Sequence, residues 1–228
     1  MKILSLDTST EYMSLGLEID EDFYSIYIKA GQTHSEIILP EIKKLLSEHQ
    51  LTTKNLDAIA FGRGPGSFTG IRIACGIAYG LGYGASIPVI GVNNLLALAE
   101  SSGKNKVISG IDARMGEIYL SAYIKEGQTF SGPIFEGVYK THELPQLRES
   151  GWTLIGNAIE NYKEEMKNHF GQQIEEVIEA PYKVVESISK LAIPFIQNQT
   201  FELIYAEPVY LRNKVAFTTE ERQALNAI

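Results

Sequence analysis

The first thirty residues alternate between apolar and polar positions. Lys2 to Asp7 is a short apolar run ending in a carboxylate. Residues 13 to 19 place Met13, Leu15, Leu17 and Ile19 on one face and Ser14, Gly16 and Glu18 on the other, the period of a half-buried strand. Asp20-Glu21-Asp22 supplies a polar turn and residues 23 to 29 a third strand, so three antiparallel strands open the fold. The period then changes. Thr33 and Glu36 have the spacing of a capping box. Behind them Ile38, Ile42, Leu45 and Leu46 line one side of a helix expected to run to about His49. Pro40 lies inside it and is expected to kink it or disturb its first turn. Residues 56 to 61 form a fourth strand, 68 to 84 a helix, 88 to 92 a fifth strand and 94 to 101 another helix. The predicted order is βββαβαβα, which mixes hairpins with right-handed crossovers.

The pattern then starts again. Lys106-Val107-Ile108-Ser109-Gly110-Ile111-Asp112 echoes Lys2-Ile3-Leu4-Ser5-Leu6-Asp7 with one inserted residue. Strands are expected at 116–125, about 131–138 and 152–156, a short helix at 142–148, and longer helices near 157–169 and 184–197. Two similar halves, 1–102 and 103–212, are therefore expected to join through the Ser-Ser-Gly-Lys-Asn stretch at 101–105. Residues 205–212 read as a last strand or an extended return across the other half. In the tail, 213–228, Thr218-Thr219-Glu220-Glu221 either caps a terminal helix or lies in a loose segment.

The helix over 68–84 carries glycine at 70, 76, 80, 82 and 84. An interior glycine costs about 1 kcal/mol relative to alanine, so the missing side chains must serve a contact. Gly76, Gly80 and Gly84 recur every fourth residue and share one face. The segment is shorter than the roughly twenty apolar residues a bilayer span needs, and it contains Arg72. Two readings follow: close packing inside its own domain, or a helix face for another subunit.

Charge and composition narrow the chemistry. At 228 residues and 44% hydrophobic content the chain suits one large domain or two small ones. Its formal net charge is −8 and no basic cluster stands out, which disfavours unaided gripping of nucleic acid. A single cysteine, Cys75, excludes an internal disulfide and fits a reducing compartment. The N-terminal apolar run is too short for a signal peptide, so a cytoplasmic location is expected. The histidines at 34, 49, 142 and 169 lack metal-ligand spacing, and no metal site is expected. Gly64-x-Gly66 is followed by Thr69 where a dinucleotide fingerprint has glycine, and no G-K-[ST] occurs in the loop. Its amides either attract an anion or simply make a tight connection. Asp7-Thr8-Ser9-Thr10 is the better place for phosphate or magnesium chemistry, against a plain hairpin turn rich in the same residue types. Cys75 reads as a small buried hydrophobe and Ser67 as a helix N-cap. No catalytic triad assembles by spacing.

Five stretches together resemble the bacterial TsaB family, also called YeaZ. They are Asp7-Thr8-Ser9-Thr10, His34-Ser35-Glu36-x-x-Leu39-Pro40, Gly64 through Arg72, Asp112-Ala113-Arg114-Met115-Gly116-Glu117 and Pro208-Val209-Tyr210-Leu211-Arg212. The resemblance implies an α/β fold of the actin, sugar kinase and chaperone ATPase type, built from two duplicated ribonuclease-H-like βββαβα halves. It also implies a role in forming threonylcarbamoyladenosine at position 37 of tRNAs that read codons starting with adenine. In that family the chain is the non-catalytic partner of its paralogue TsaD, which works with the ATPase TsaE, so ATP and magnesium are used by the complex and none is assigned to this chain. TsaD-like proteins hold a metal through two histidines four residues apart after the strand that follows the glycine helix. Here Asn94 and Leu98 stand in those places; leucine cannot ligate a metal and asparagine does so poorly.

The same resemblance gives the glycine face an expected occupant. Helices 34–49 and 68–84 are expected to pack against the equivalent pair of TsaD, using His34, Ile38, Ile42, Leu45, Arg72, Ile73, Gly76, Ile77, Gly80, Tyr83 and Gly84. The isolated chain is expected to pair with itself through this surface, and tRNA is an indirect partner. A phosphotransferase or ATPase using Asp7, and a metalloprotease, are the competing readings.

Overall fold

The computed structural model describes residues 1–179, 183–198 and 207–212. The first sheet is built from β1 (Lys2–Asp7), β2 (Tyr12–Ile19), β3 (Asp22–Lys29), β4 (Ala58–Gly62) and β5 (Val89–Val92), in the order β3-β2-β1-β4-β5. The antiparallel hairpins β1–β2 and β2–β3 meet the parallel pairs β1–β4 and β4–β5 at the central strand β1. Helix α1 (His34–Glu48) leads from β3 to β4 and α2 (Phe68–Ala85) from β4 to β5, while α3 (Asn94–Ser101) leads on to the second sheet.

The second sheet repeats the plan. Its strands are β6 (Lys106–Asp112), β7 (Glu117–Glu126), the short β8 (Thr129–Phe130), β9 (Phe135–Lys140), β10 (Trp152–Ile155) and β11 (Ile174–Ile178), with helices α4 (Ala158–Phe170) and α5 (Val185–Gln197). β7 pairs antiparallel with β6 and β9 antiparallel with β7, while β10 and β11 run parallel on the other side of β6. Thus β6 takes the place of β1, α4 that of α2 and α5 that of α3. The duplicated α/β architecture agrees with the repeat expected from the sequence.

Three apolar cores hold the layers together. Strand alternation decides which core each residue enters. β1 sends Leu4 and Leu6 toward α1 and α2, where they meet Ile38, Ile42, Phe61, Ala74 and Ala78. Its Ile3 joins a central core with Ala60 and Ile90, with Leu95 and Leu98 of α3, and with Ile188 and Ala192 of α5. β6 likewise sends Val107 into the central core and Ile108 into a third one, with Trp152, Leu154, Met166 and Phe170. α3 and α5 pack on each other between the two sheets, so this layer joins the halves.

Several expectations are corrected. Thr33 makes no side-chain cap; its Oγ1 donates to the Ala30 carbonyl at 2.9 Å, so the capping box does not form. α1 runs unbroken through Pro40, whose missing N–H falls on the exposed side of the helix, where Glu36 and Pro40 both face solvent. No helix forms at 142–148. Pro145 steers Leu144 away from helical backbone, and Leu144 and Leu147 anchor an irregular segment in the third core instead. The strand expected from about 131 starts at Phe135, after Gly132 and Pro133. β11 has no counterpart among the expected strands, because Glu175 and Glu176 break the apolar pattern of this edge strand. Of the stretch 205–212, residues 207–212 form an extended return; the expected tail helix lies outside the described residues.

The glycines of α2 divide into two kinds. A Cβ at Gly70 would collide with the Thr8 carbonyl oxygen and one at Gly82 with the Val89 side chain. A Cβ at Gly76, Gly80 or Gly84 would meet no described atom within 4 Å. Gly70→Ala is therefore expected to lower stability by about 1–3 kcal/mol, while Gly76→Ala raises it by up to about 1 kcal/mol through helix propensity. Urea unfolding of dilute protein measures both.

Candidate functional site: the interdomain cleft and the open helix face

The turn after β1 carries the residues with chemical potential. Asp7 is fully buried. Its Oδ2 accepts from Ser9 Oγ at 3.0 Å and its Oδ1 from Asn94 Nδ2 at 3.1 Å. The same Asn94 Nδ2 donates to Ser9 Oγ at 2.6 Å, and Asn94 Oδ1 accepts from the Gly64 amide at 3.2 Å. Burial pushes the Asp7 carboxyl up to about 6, against the opposing pull of the Ser9 and Asn94 hydrogen bonds. Thr8 Oγ1 donates to the Gly70 carbonyl at 2.7 Å, and Thr10 Oγ1 accepts from the Tyr12 amide at 3.2 Å. Asp7, Thr8 and Ser9 are thus committed to intrachain bonds; Ser9 and Thr10 alone of the four line the cleft between the halves.

The donor set does not suit a metal. Asn94 bridges Asp7 and the glycine loop, and Leu98 is buried in the central core. Among the described residues no group of three or more His, Cys, Asp or Glu side chains is placed to hold an ion. Cys75 is half-buried, and desolvation raises its thiol pKa, the reverse of an activated nucleophile. Ser67 caps α2 as expected, accepting from the Gly70 amide at 3.3 Å.

The cleft has a volume of about 1010 Å³. Its second wall is the turn between β6 and β7, where Arg114, Met115 and Gly116 all have positive φ. Two consecutive non-glycine residues in the left-handed region are costly. The Arg114 amide donates to Asp112 Oδ1 at 2.8 Å, and Asp112 also accepts from Asn161 of α4 at 3.2 Å. Residues 207–212 cross the mouth of the cleft, where Arg212 pairs with Glu117. The sequence marks both motifs but not the bond between them, because 95 residues separate the partners.

The expected partner surface is only partly a surface. His34, Ile38, Ile42 and Leu45 are buried in this chain's own fold, so they are unavailable for an interface. The reason is that α1 has one apolar stripe, and its own sheet takes it. α2 differs. Arg72, Gly76, Gly80, Tyr83 and Gly84 are exposed and Ile73 and Ile77 half-buried; Tyr83 is 91% exposed. At the start of this face the Arg72 guanidinium lies 3.7 Å over the Phe68 ring, and its Nε donates to the Tyr210 hydroxyl at 3.1 Å.

Asp7 makes a pH prediction. Its folded pKa lies above the ordinary carboxylate value, so the folded state holds this proton more tightly. Stability from this group is full below about pH 4 and falls as pH rises toward 6, by about 2–3 kcal/mol. Asp7→Asn is expected to match the parent near pH 4 and exceed it above pH 7. Urea midpoints across this range measure the difference, and parallel pH curves would contradict the assignment.

Comparison with known proteins agrees with this geometry. The family model for TsaD, tRNA N6-adenosine threonylcarbamoyltransferase, matches residues 28–201. The tRNA threonylcarbamoyladenosine biosynthesis protein TsaB of Escherichia coli (strain K12) is 34% identical over 229 residues, covering 95% of this chain and 97% of that protein. The Haemophilus influenzae protein of the same name is 35% identical, covering 95% and 96%. The structure of YeaZ from Pseudomonas aeruginosa superposes with a TM-score of 0.80 at 32% identity, over 92% of this chain and 99% of that one. The likeness runs over nearly the whole length of each of these proteins, and the chain belongs to the TsaB (YeaZ) family.

Proposed function

We propose that this chain is a non-catalytic supporting subunit for the transferase TsaD. As a TsaB-family protein it acts in the biosynthesis of tRNA threonylcarbamoyladenosine. The observation that carries the finer reading is the open glycine row of α2. Gly76, Gly80 and Gly84 have free space where a Cβ would stand, although alanine would make a better helix. Bare backbone on an exposed face lets a second helix approach closely. Ile73 and Ile77 beside it supply apolar area toward the roughly 800 Å² per partner of a stable interface.

In this reading TsaD seats its equivalent helix on α2, and the isolated chain pairs two-fold through the same face. TsaE joins the full complex, tRNA is met indirectly, and ATP and magnesium are used by the partners. No helix among the described residues is long and apolar enough to cross a membrane, and a cytoplasmic site of action fits the tRNA substrate. Chemistry at Asp7 is disfavoured because both carboxylate oxygens are already hydrogen-bonded and buried.

Two experiments test the proposal. Gly80→Arg is expected to leave the melting temperature nearly unchanged, since the added side chain enters open space, yet to yield monomer on a sizing column and lose co-purification with TsaD. Survival of both assemblies would remove the face from consideration. Separately, tRNA modification by TsaD and TsaE supplied with threonylcarbamoyl-adenylate is expected to collapse when this chain is omitted. Undiminished product would refute the supporting role.

A further inference from the structure

We propose that residues 207–212 are an intrachain strap that sets the opening of the cleft. At its first end the Val209 amide donates to the Arg63 carbonyl at 2.7 Å, beside the glycine loop of the first half. Gly64 makes this approach possible, because a Cβ there would lie 2.6 Å from the Val209 carbonyl oxygen, and its φ is +108°. Tyr210 packs on Phe68 with ring centroids 5.3 Å apart and takes the Arg72 hydrogen bond. At the other end Arg212 belongs to the second half. It pairs with Glu117 of β7, donates to the Arg114 carbonyl at 3.3 Å and lies 3.7 Å from Met115 Sδ.

The spacing leaves little slack. Val209 and Arg212 are three residues apart, about 10 Å of extended chain, and each is fixed to a different half. The base of the molecule is joined independently by α3 packing on α5 and by the partly buried Lys125–Glu100 pair. A base that is joined and a mouth that is tied make a hinge with a stop. Arg212 also holds the turn in which Arg114 and Met115 adopt left-handed backbone. Release of the strap therefore frees the cleft wall as well as the cleft angle. The device depends on contacts within this chain and does not rest on the partner assignment.

Single-molecule energy transfer tests it without a partner. The full chain carries Cys75→Ser and dyes at Ser35 and Glu164, exposed positions of α1 and α4 on the two halves, and is observed at picomolar concentration, where it is monomeric. The parent is expected to give one narrow population. Arg212→Ala, which cuts the second end, and Tyr210→Ala, which strips the side-chain anchor beside the Val209–Arg63 backbone bond at the first, are each expected to shift it to lower efficiency, corresponding to a widening of several ångström. Arg148→Ala, an exposed arginine that does not line the cleft, is expected to change nothing. Should Arg212→Ala fail to fold by far-ultraviolet circular dichroism, Glu117→Gln weakens the same pair and decides in its place; Tyr210→Phe, which removes only the hydroxyl, does so for the first end. An unchanged population on cutting either end would overturn the strap.

Discussion

Burying a carboxylate without a counter-charge commits everything around it. Asp7 lies inside the first half, its hydrogen-bond partners among the described residues are neutral, and an unsatisfied buried charge costs several kcal/mol. Its solution is a ring of neutral donors drawn from distant segments. Ser9 comes from the following turn and Asn94 from the first turn of α3, while the Gly64 amide fixes the far side of the Asn94 amide group. The amide and carbonyl of Gly64 and Asn94 bond each other reciprocally, since the Asn94 amide donates to the Gly64 carbonyl at 2.8 Å. One buried group thus ties β1, the glycine loop and α3 into a single unit. That unit positions the start of α2 and, with it, both the cleft wall and the exposed helix face.

The glycine helix reconciles two demands that compete within one element. Its inner side must admit the turn after β1, so Gly70 gives way to the Thr8 carbonyl, and Gly82 gives way to Val89. Its outer side has no such neighbour among the described residues. Close packing inside the domain and an open face were alternatives at the level of sequence; the structure assigns each to different glycines.

Much of the fold is legible in residues alone. Period-two alternation locates β1, β2 and β3, and the echo of residues 2–7 at 106–112 announces the second half. What escaped has physical causes. Where α1 stands in the first half, the second has only the segment held by Leu144 and Leu147, because Pro145 interrupts it. β11 is a polar edge whose pairing with β10 outweighs its composition. For the site, motifs mark Asp7 and the glycine loop, but α1 hides a limit of pattern reading. An apolar stripe gives the direction of burial without saying against what, and His34, Ile38, Ile42 and Leu45 spend it on their own sheet. The Arg212–Glu117 pair is invisible for another reason: a contact across 95 residues leaves no local trace.

The bare row on α2 also has an entropic meaning. Glycine has no rotamers to freeze, whereas ordering a long side chain costs about 0.5–1.5 kcal/mol on association. Along this face Gly76, Gly80 and Gly84 have nothing to immobilise, and Arg72 is already clamped between Phe68 and Tyr210. Tyr83 is the long exposed side chain with freedom left to lose. The face is therefore pre-organised by subtraction: contact there gives up little conformational freedom before it gains area.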